Sequence, residues 1–385
     1  MSLATTALAV AIGWHIYHAT GNPIDLALVA LMQVLPTWLF FLISGWASDN
    51  LSRRLVIQVS LAINALVFVL LALAMSHTVL DLHIILGLLF LFGCGRAFYF
   101  PAMQSTLPVI VEKKLLTTAV SNASTVWTVA MTAGPLIGGV LLAWLDVGIY
   151  WLLFGLMLMA LGFASLLPRM SAAHKGGRSI KDLTMGIRFV WRNPLVFPSI
   201  TLDLLIIMAG SVMTLLPIYA ADILHLGPEG LGLLRAMPAL GSVVSGLVVG
   251  RMGYGEYAGR SLYVALAGFS LSIMVFALSE TLWLSLLALF AYGFADMISV
   301  IIRSSITHLA TPDTLRGRVN AVNALFIVSS NELGDFRAGL MAGLLGAVPA
   351  ALTGALCAFA VVSVGYWRSP ELRRLKKVED IVEAE

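Results

Sequence analysis

Charged residues are scarce in this chain. They make up 11% of its 385 residues, where soluble domains carry about 25%. Cysteine is almost absent too: Cys94 and Cys357 lie far apart in apolar runs, which excludes a disulfide framework and any cysteine-based metal site. No Gly-x4-Gly-Lys-Ser/Thr loop occurs, so ATP is excluded as the direct energy source. The seven histidines show no metal-ligand pairing. No nucleophile–base or metal constellation appears of the kind an intramembrane enzyme needs. Neither a cofactor nor a metal is expected. The basic residues are scattered between apolar runs rather than gathered on a patch, which argues against a nucleic-acid partner.

What is abundant is apolar surface: 59% of residues are hydrophobic and mean hydropathy is +0.95. A soluble domain of this length could not hide it. Lipid removes the problem, and a span needs roughly 20 apolar residues. Long unbroken runs, rather than alternating ten-residue strands, select helices over a barrel. The runs cover 1–17, 27–48, 55–76, 82–104, 118–144, 147–168, 195–221, 230–250, 261–279, 281–302, 319–345 and 350–367. The fold class is therefore an all-α membrane protein of twelve spans. The first run is too short to cross at 1.5 Å per residue and lacks the features of a signal peptide, so the chain reads as beginning inside its first helix.

Basic residues set the orientation. Arg53, Arg54, Lys113, Lys114, the 169–192 segment, Arg251, Arg260, Arg316, Arg318 and the 368–377 tail all follow even-numbered spans. The loops after odd-numbered spans hold no Lys or Arg. The positive-inside rule then places both termini and the even loops in the cytoplasm. Residues 1–168 form one six-helix bundle, 169–194 a cytoplasmic linker, 195–368 a second bundle and 369–385 a cytoplasmic tail. Within the linker, Ile180, Leu183, Ile187, Phe189 and Val190 alternate with Lys181, Asp182, Arg188 and Arg192, as in a short amphipathic helix lying on the membrane surface. The halves repeat weakly at an offset of 200 or 201 residues: Gly93–Arg96 with Gly293–Asp296, Asn122 with Asn323, and 134–138 with 335–339. Such repetition is expected of transporters built from two related bundles.

Three motifs carry a family resemblance. The loop after the second span reads Gly45-Trp46-Ala47-Ser48-Asp49-Asn50-Leu51-Ser52-Arg53-Arg54. It resembles the major facilitator superfamily signature at Gly45, Asp49, Leu51, Arg53 and Arg54, with Asn50 replacing a basic residue and Ser52 a glycine. Gly45 permits close helix approach, and Asp49 can cap a helix or pair with a base, so the cluster reads as a conformational latch. The fifth span contains Ala130 followed by Gly134-Pro135-Leu136-Ile137-Gly138-Gly139, similar to the motif of that superfamily's drug–proton antiporters. Pro135 removes a backbone donor, and the glycines give a flat packing face. Gly186-Ile187-Arg188-Phe189, Asn193-Pro194-Leu195, Arg318–Asn323 and Glu332–Phe336 resemble the branch of enterobactin exporters and macrolide efflux proteins. The resemblance implies a monomeric inner-membrane secondary transporter, of the siderophore-export or antibiotic-efflux kind. It would export a small amphipathic molecule in exchange for protons, with membrane lipid its only other partner. Uptake, a proton-independent facilitator, or a membrane sensor or scaffold that no longer transports are the alternatives.

Ionisable residues inside spans are costly, roughly 2.5–3.5 kcal/mol each near the bilayer centre on insertion scales, and persist where they face a partner or a cavity. Asp335, Glu332, Arg96, Asp296, Asp203, Arg235 and Arg337 are therefore candidates for proton coupling or substrate binding, with helix–helix ion pairing as the alternative. Glu332 and Asp335 share a helix face, and two close carboxylates compete for one proton. Residue 337 lies on another face from 335. Arg96 and Asp296 occupy equivalent repeat positions. Arg303, near the cytoplasmic end of its span, is expected to snorkel. Trp127, Phe98, Tyr99, Phe326 and Tyr292 are candidates for lining a cavity.

Overall fold

The computed structural model describes residues 1–76, 81–168, 180–253, 257–312 and 315–376. Those residues are almost wholly helical, with no strand among them. The helices are α1 (Ser2–Thr20), α2 (Pro23–Asn50), α3 (Arg53–Met75), α4 (Leu82–Ile110), α5 (Leu116–Leu145) and α6 (Gly148–Ser165), then the short α7 (Ile180–Arg192). There follow α8 (Val196–Gly210), α9 (Leu216–Ile218), α10 (Pro228–Met252), α11 (Ala258–Ala277), α12 (Leu282–Leu309), α13 (Arg316–Leu345), α14 (Ala347–Arg368) and α15 (Pro370–Arg374).

Polar side chains start several of these helices where the sequence changes character. Asn22 accepts from the amide of Ile24, and Asp81 from those of His83 and Ile84. Asn193 accepts from the amides of Leu195 and Val196, both at 3.0 Å. Each meets donors that the first helical turn leaves open. Prolines sit inside α2, α4, α5 and α10, as membrane helices allow when neighbours compensate.

Ten of the helical segments are long and apolar enough to cross a membrane, the stretch Val196–Ile223 counted as one. The two other long helices are α1 and α13. In α1, Trp14, His15 and His18 lower the hydropathy, yet the helix runs for 19 residues, about 28 Å at the usual rise. The first helix is thus slightly longer than the apolar run read from the sequence. In α13, Asn323, Asn331, Glu332, Asp335 and Arg337 stand on one continuous 30-residue helix.

Two compact units emerge. One comprises Met1–Ser179 with Leu226–Ala236, the other Ile180–His225 with Met237–Glu385. Their internal pairings correspond. In the first, α1 packs on α5, α2 on α4 and α3 on α6; in the second, α8 packs on α13 and α11 on α14. A Cβ at Gly93 of α4 would lie 2.6 Å from the Gln33 carbonyl and 2.9 Å from Pro36 of α2. A Cβ at Gly293 of α12 would strike the backbone of Pro238 in α10. The offset-200 glycines therefore do the same work in both units, letting one helix lie against another that carries a proline. Tyr150, Phe68 and Phe92 are fully buried in the first unit, and Tyr219, Phe269 and Phe276 in the second.

The linker helix differs from expectation. The side chains of residues 180–184 lie outside the described set, as do residues 169–179 and 377–385 of the linker and tail. Beyond them, α7 does not turn its apolar face to lipid. Gly186 faces α13, where a Cβ would lie 2.9 Å from the Arg318 carbonyl. Val190 joins Val196, Ile200, Ala310, Val319 and Val322 in a buried cluster, with Phe189 and Phe326 packed against it. Ile187 and Trp191 stay exposed. Periodicity alone marks an apolar face without saying what covers it, and here the glycine lets α13 do so.

One prediction concerns these contacts. Gly293→Val adds a branched side chain where even a Cβ clashes, and overpacking of this kind costs about 1–3 kcal/mol. A clear fall in melting temperature in detergent is expected, with Gly155→Val, where nothing lies within 4 Å of the Cβ position, as the near-neutral control.

Candidate functional site

Residues 195–221 read as one span, but the chain breaks inside it. Helix α8 stops at Gly210; Ser211 is extended, with φ −61° and ψ 134°. A 3-10 turn at Met213–Leu215, the single turn α9 and a π turn at Tyr219–Ile223 follow. A helix end exposes carbonyls that no later amide meets, and in hydrocarbon they need protein partners. Helix α13 supplies them. Arg337 donates from Nε to the Met208 carbonyl at 3.0 Å and from Nη2 to the Ser211 carbonyl at 3.2 Å. Ser211 Oγ donates to Asp335 Oδ1. Gly334 allows the approach, since a Cβ there would lie 2.8 Å from the Ile207 carbonyl and 2.9 Å from Ser211 Cβ.

Asp335 and Arg337 thus act on the same break. They were expected to serve different faces, and the angular argument failed because the arginine stem is long enough to reach round its helix. Glu332, one turn earlier, is half-buried.

A second polar group lies in the same unit. Arg303 Nη1 and Asp203 Oδ2 are 2.6 Å apart, with side chains only 7% and 9% exposed. Arg303 Nε also donates to Ser299 Oγ at 3.0 Å. The snorkelling expected of Arg303 is therefore overturned: Asp203 and Ser299 hold the guanidinium inside. The pair borders a cavity of about 80 Å³ lined by α8, α12 and α13, including Asp203, Asp296, Arg303, Ser304, Thr307 and Asn323. Along α12, residues 296, 300, 303, 304 and 307 fall on one face, which is why they share this wall.

In the first unit the candidates are less concentrated. Arg96 on α4 is half-buried, and Arg235 lies on the part of α10 that groups with this unit. The side chain of Asp49 lies outside the described residues. Gly45 has nothing described within 4 Å of its Cβ position. Arg53 is buried at the start of α3, and Arg54 Nη1 donates to the Leu167 carbonyl at 2.8 Å, tying α3 to the end of α6. The fifth-span glycines do pack closely. A Cβ at Gly134 would overlap the Thr6 hydroxyl, one at Gly138 would lie 2.7 Å from Ala7 Cα, and one at Gly139 would lie 2.8 Å from Gly232 Cα. Thr6 Oγ1 is 3.2 Å from the Ala130 carbonyl across the same contact.

Sequence reasoning missed two polar sets, one of them fully buried. His15 Nδ1 lies 2.9 Å from the Tyr150 hydroxyl, and its Nε2 lies 2.9 Å from Asp146. Asn64 is fully buried against Gly95. Of the aromatic candidates, Phe326 packs in the α7–α13 cluster and Tyr292 stacks on Phe269 at 4.4 Å; neither lines the cavity. Among the described residues no cluster of His, Cys, Asp or Glu is arranged to hold a metal ion.

These features, many crossing helices in two corresponding units with polar groups sealed between spans, define a multi-pass membrane protein of transporter architecture. Residues 1–383 match the transmembrane secretion effector family, so the chain belongs to that family, within the major facilitator superfamily. Among curated relatives, the chain is 29% identical over 273 residues to the enterobactin exporter EntS of Citrobacter koseri. It is 28% identical over 256 residues to the Escherichia coli protein of that name. The alignments cover 69% and 64% of this chain but only 63% and 59% of those relatives, less than two thirds of their length. Solved structures of similar fold include the nucleoside transporter NupG, at TM-score 0.72 and 12% identity with 95% of both chains covered. A bacterial homologue of the iron transporter ferroportin, in the inward-facing state, matches at TM-score 0.70 and 15% identity, with 95% of this chain and 96% of that one covered. At such identities these neighbours speak for the fold alone.

Arg337→Met tests the account of the break. Hydrogen bonds from a charged donor contribute about 1.5–3 kcal/mol, so a loss of that order is expected in detergent melting. Faster amide exchange is expected at 211–223, with exchange in α11 unchanged.

Proposed function

We propose that the chain is a secondary transporter that exports a small amphipathic molecule, of the siderophore or macrolide kind, across a bacterial inner membrane. Export runs by alternating access in exchange for inward protons, with both termini cytoplasmic. The observation that carries this reading is the break in α8. Irregular backbone at membrane depth persists only where protein or a water-filled cavity meets its polar groups, and transporters place binding sites at such discontinuous helices. The naming of the EntS relatives as enterobactin exporters supports the export direction and the siderophore class. The fifth-span glycine face, closed on α1 and on the start of α10, supports it too. Residues 1–168 and 195–368 serve as the two moving bundles.

The test uses the full chain in proteoliposomes carrying a pH-sensitive dye, with a panel of catechol siderophores and macrolides. Transport of at least one panel member, accompanied by opposite proton movement and abolished by collapse of the pH gradient, is the expected result. Substrate movement indifferent to the gradient would establish a facilitator instead. No movement of any of these compounds, with the protein folded, would remove the siderophore–macrolide reading. Reporter fusions check the topology: a C-terminal reporter active only in the cytoplasm is expected, and periplasmic activity would invert the assignment.

A further inference from the structure

The cavity beside Asp203 and Arg303 is too small for such a substrate. Ligand pockets for drug-sized molecules run about 300–1,000 Å³, whereas this one measures about 80 Å³, room for a few waters. Its occupant is therefore small.

The wall of this cavity contains two carboxylates, Asp203 and Asp296, and one guanidinium, Arg303; the other lining side chains are neutral. Arg303 is already committed, to Asp203 at 2.6 Å and to Ser299. With both acids ionised the site carries one uncompensated negative charge, the costly condition inside a membrane. Asp296 is half-buried, faces the cavity, and lies within electrostatic reach of both Arg303 and Asp203. The neighbours do not relieve it. From α13 the lining groups are Asn323 and Asn331. Tyr292, one turn before Asp296, lies in the field of Asp296, Asp335 and Asp203. Phe269 of α11 stacks on Tyr292, and α10 presents Pro238, Gly241 and Ser242 to α12. Glu332, Asp335 and Arg337 lie farther along α13, the last two engaged at the α8 break.

We propose that this cavity is a proton-binding site in which Asp296 takes the proton and Arg303 is the single cation for which Asp296 and Asp203 compete. A proton from the solvent, relayed through a cavity water that stays neutral, adds to the Asp296 carboxylate and leaves the site neutral with Arg303 on Asp203. Loss of that proton to water restores the carboxylate, which then draws the guanidinium along the same face of α12. Asp296 and Arg303 are seven residues apart, two turns of one helix, and a flexible arginine stem shortens that separation. This assignment rests on the transporter reading only for the use made of the proton; binding itself is tested without substrate.

The experiment is infrared difference spectroscopy of the full chain in lipid between acid and alkaline pH, in potassium buffer, then in sodium buffer. A protonated-carboxyl band that appears on acidification, is lost in Asp296→Asn, and persists in Glu332→Gln and Asp335→Asn is the expected result. Arg303→Gln removes the competitor and is expected to abolish most of the pH-dependent change, while Arg303→Lys retains it. If Asp296→Asn does not fold, Asp296→Glu serves in its place, with a displaced band expected. Absence of the band in the wild-type protein, its survival in Asp296→Asn, an unmoved band in Asp296→Glu, or a response to sodium instead of pH would each overturn the assignment. Failure of the flux assay alone, with the band behaving as expected, would overturn the export reading and leave the proton site in place.

Discussion

Inside a bilayer a carbonyl without a partner has no water to turn to, and much of the second unit is arranged around that constraint. The chain interrupts α8 at Gly210 and Ser211, which frees carbonyls at membrane depth. The neighbouring helix carries an arginine whose fork reaches two of them and an aspartate that receives the serine hydroxyl. Gly334 brings the helices close enough for those bonds to form. This requirement explains why α13, alone among the later spans, carries so many polar residues and falls below the hydropathy of a typical span. The same helix then offers its N-terminal half to α7, through Val319 and Val322.

The two units meet the constraint differently from equivalent positions. Gly134 of α5 lies against Thr6 of α1, and Gly334 of α13, 200 residues later, lies against Ile207 and Ser211 of α8. In the first unit the partner helix α1 is continuous, so a hydroxyl and a glycine face suffice. In the second the partner is broken, so charged groups appear one and three residues beyond the glycine. A repeated scaffold has kept its close helix contact and acquired polar chemistry on one side only.

The apolar spans and the repeat were legible because a hydrocarbon solvent writes itself into composition and loop charge; ten of the twelve expected runs form segments long and apolar enough to cross a membrane. The glycine contacts at 93, 138 and 293 were legible as small residues in motifs, although their partners were not. The break in α8 was not legible: Gly210 and Ser211 are unremarkable in an apolar run, and only the polar groups opposite them turn a weak spot into an interruption. Arg303 was misread for a related reason. Position along a helix suggests snorkelling, but the decision between solvent and a buried acid depends on which residue the adjacent helix presents, and that is a property of the packing. Likewise the apolar stripe of α7 gave the face but not its occupant.

The division of labour among the acids follows from these contacts. Asp335 accepts from Ser211 beside an arginine that is itself occupied with carbonyls, so a change in its charge would disturb the clasp on α8. Asp203 is sealed with Arg303, and removing either partner would strand a buried charge, the costliest kind of change to an ion pair. Asp296 differs from both. It shares with Asp203 a cavity that water can occupy, but the cation between the two acids is engaged by Asp203. A group that must gain and lose a proton repeatedly needs water access and a charge balance that changes little in cost between its two states. On the proposed reading, proton binding then falls to Asp296 of α12, while Asp335 and Arg337 of α13 hold the broken helix together.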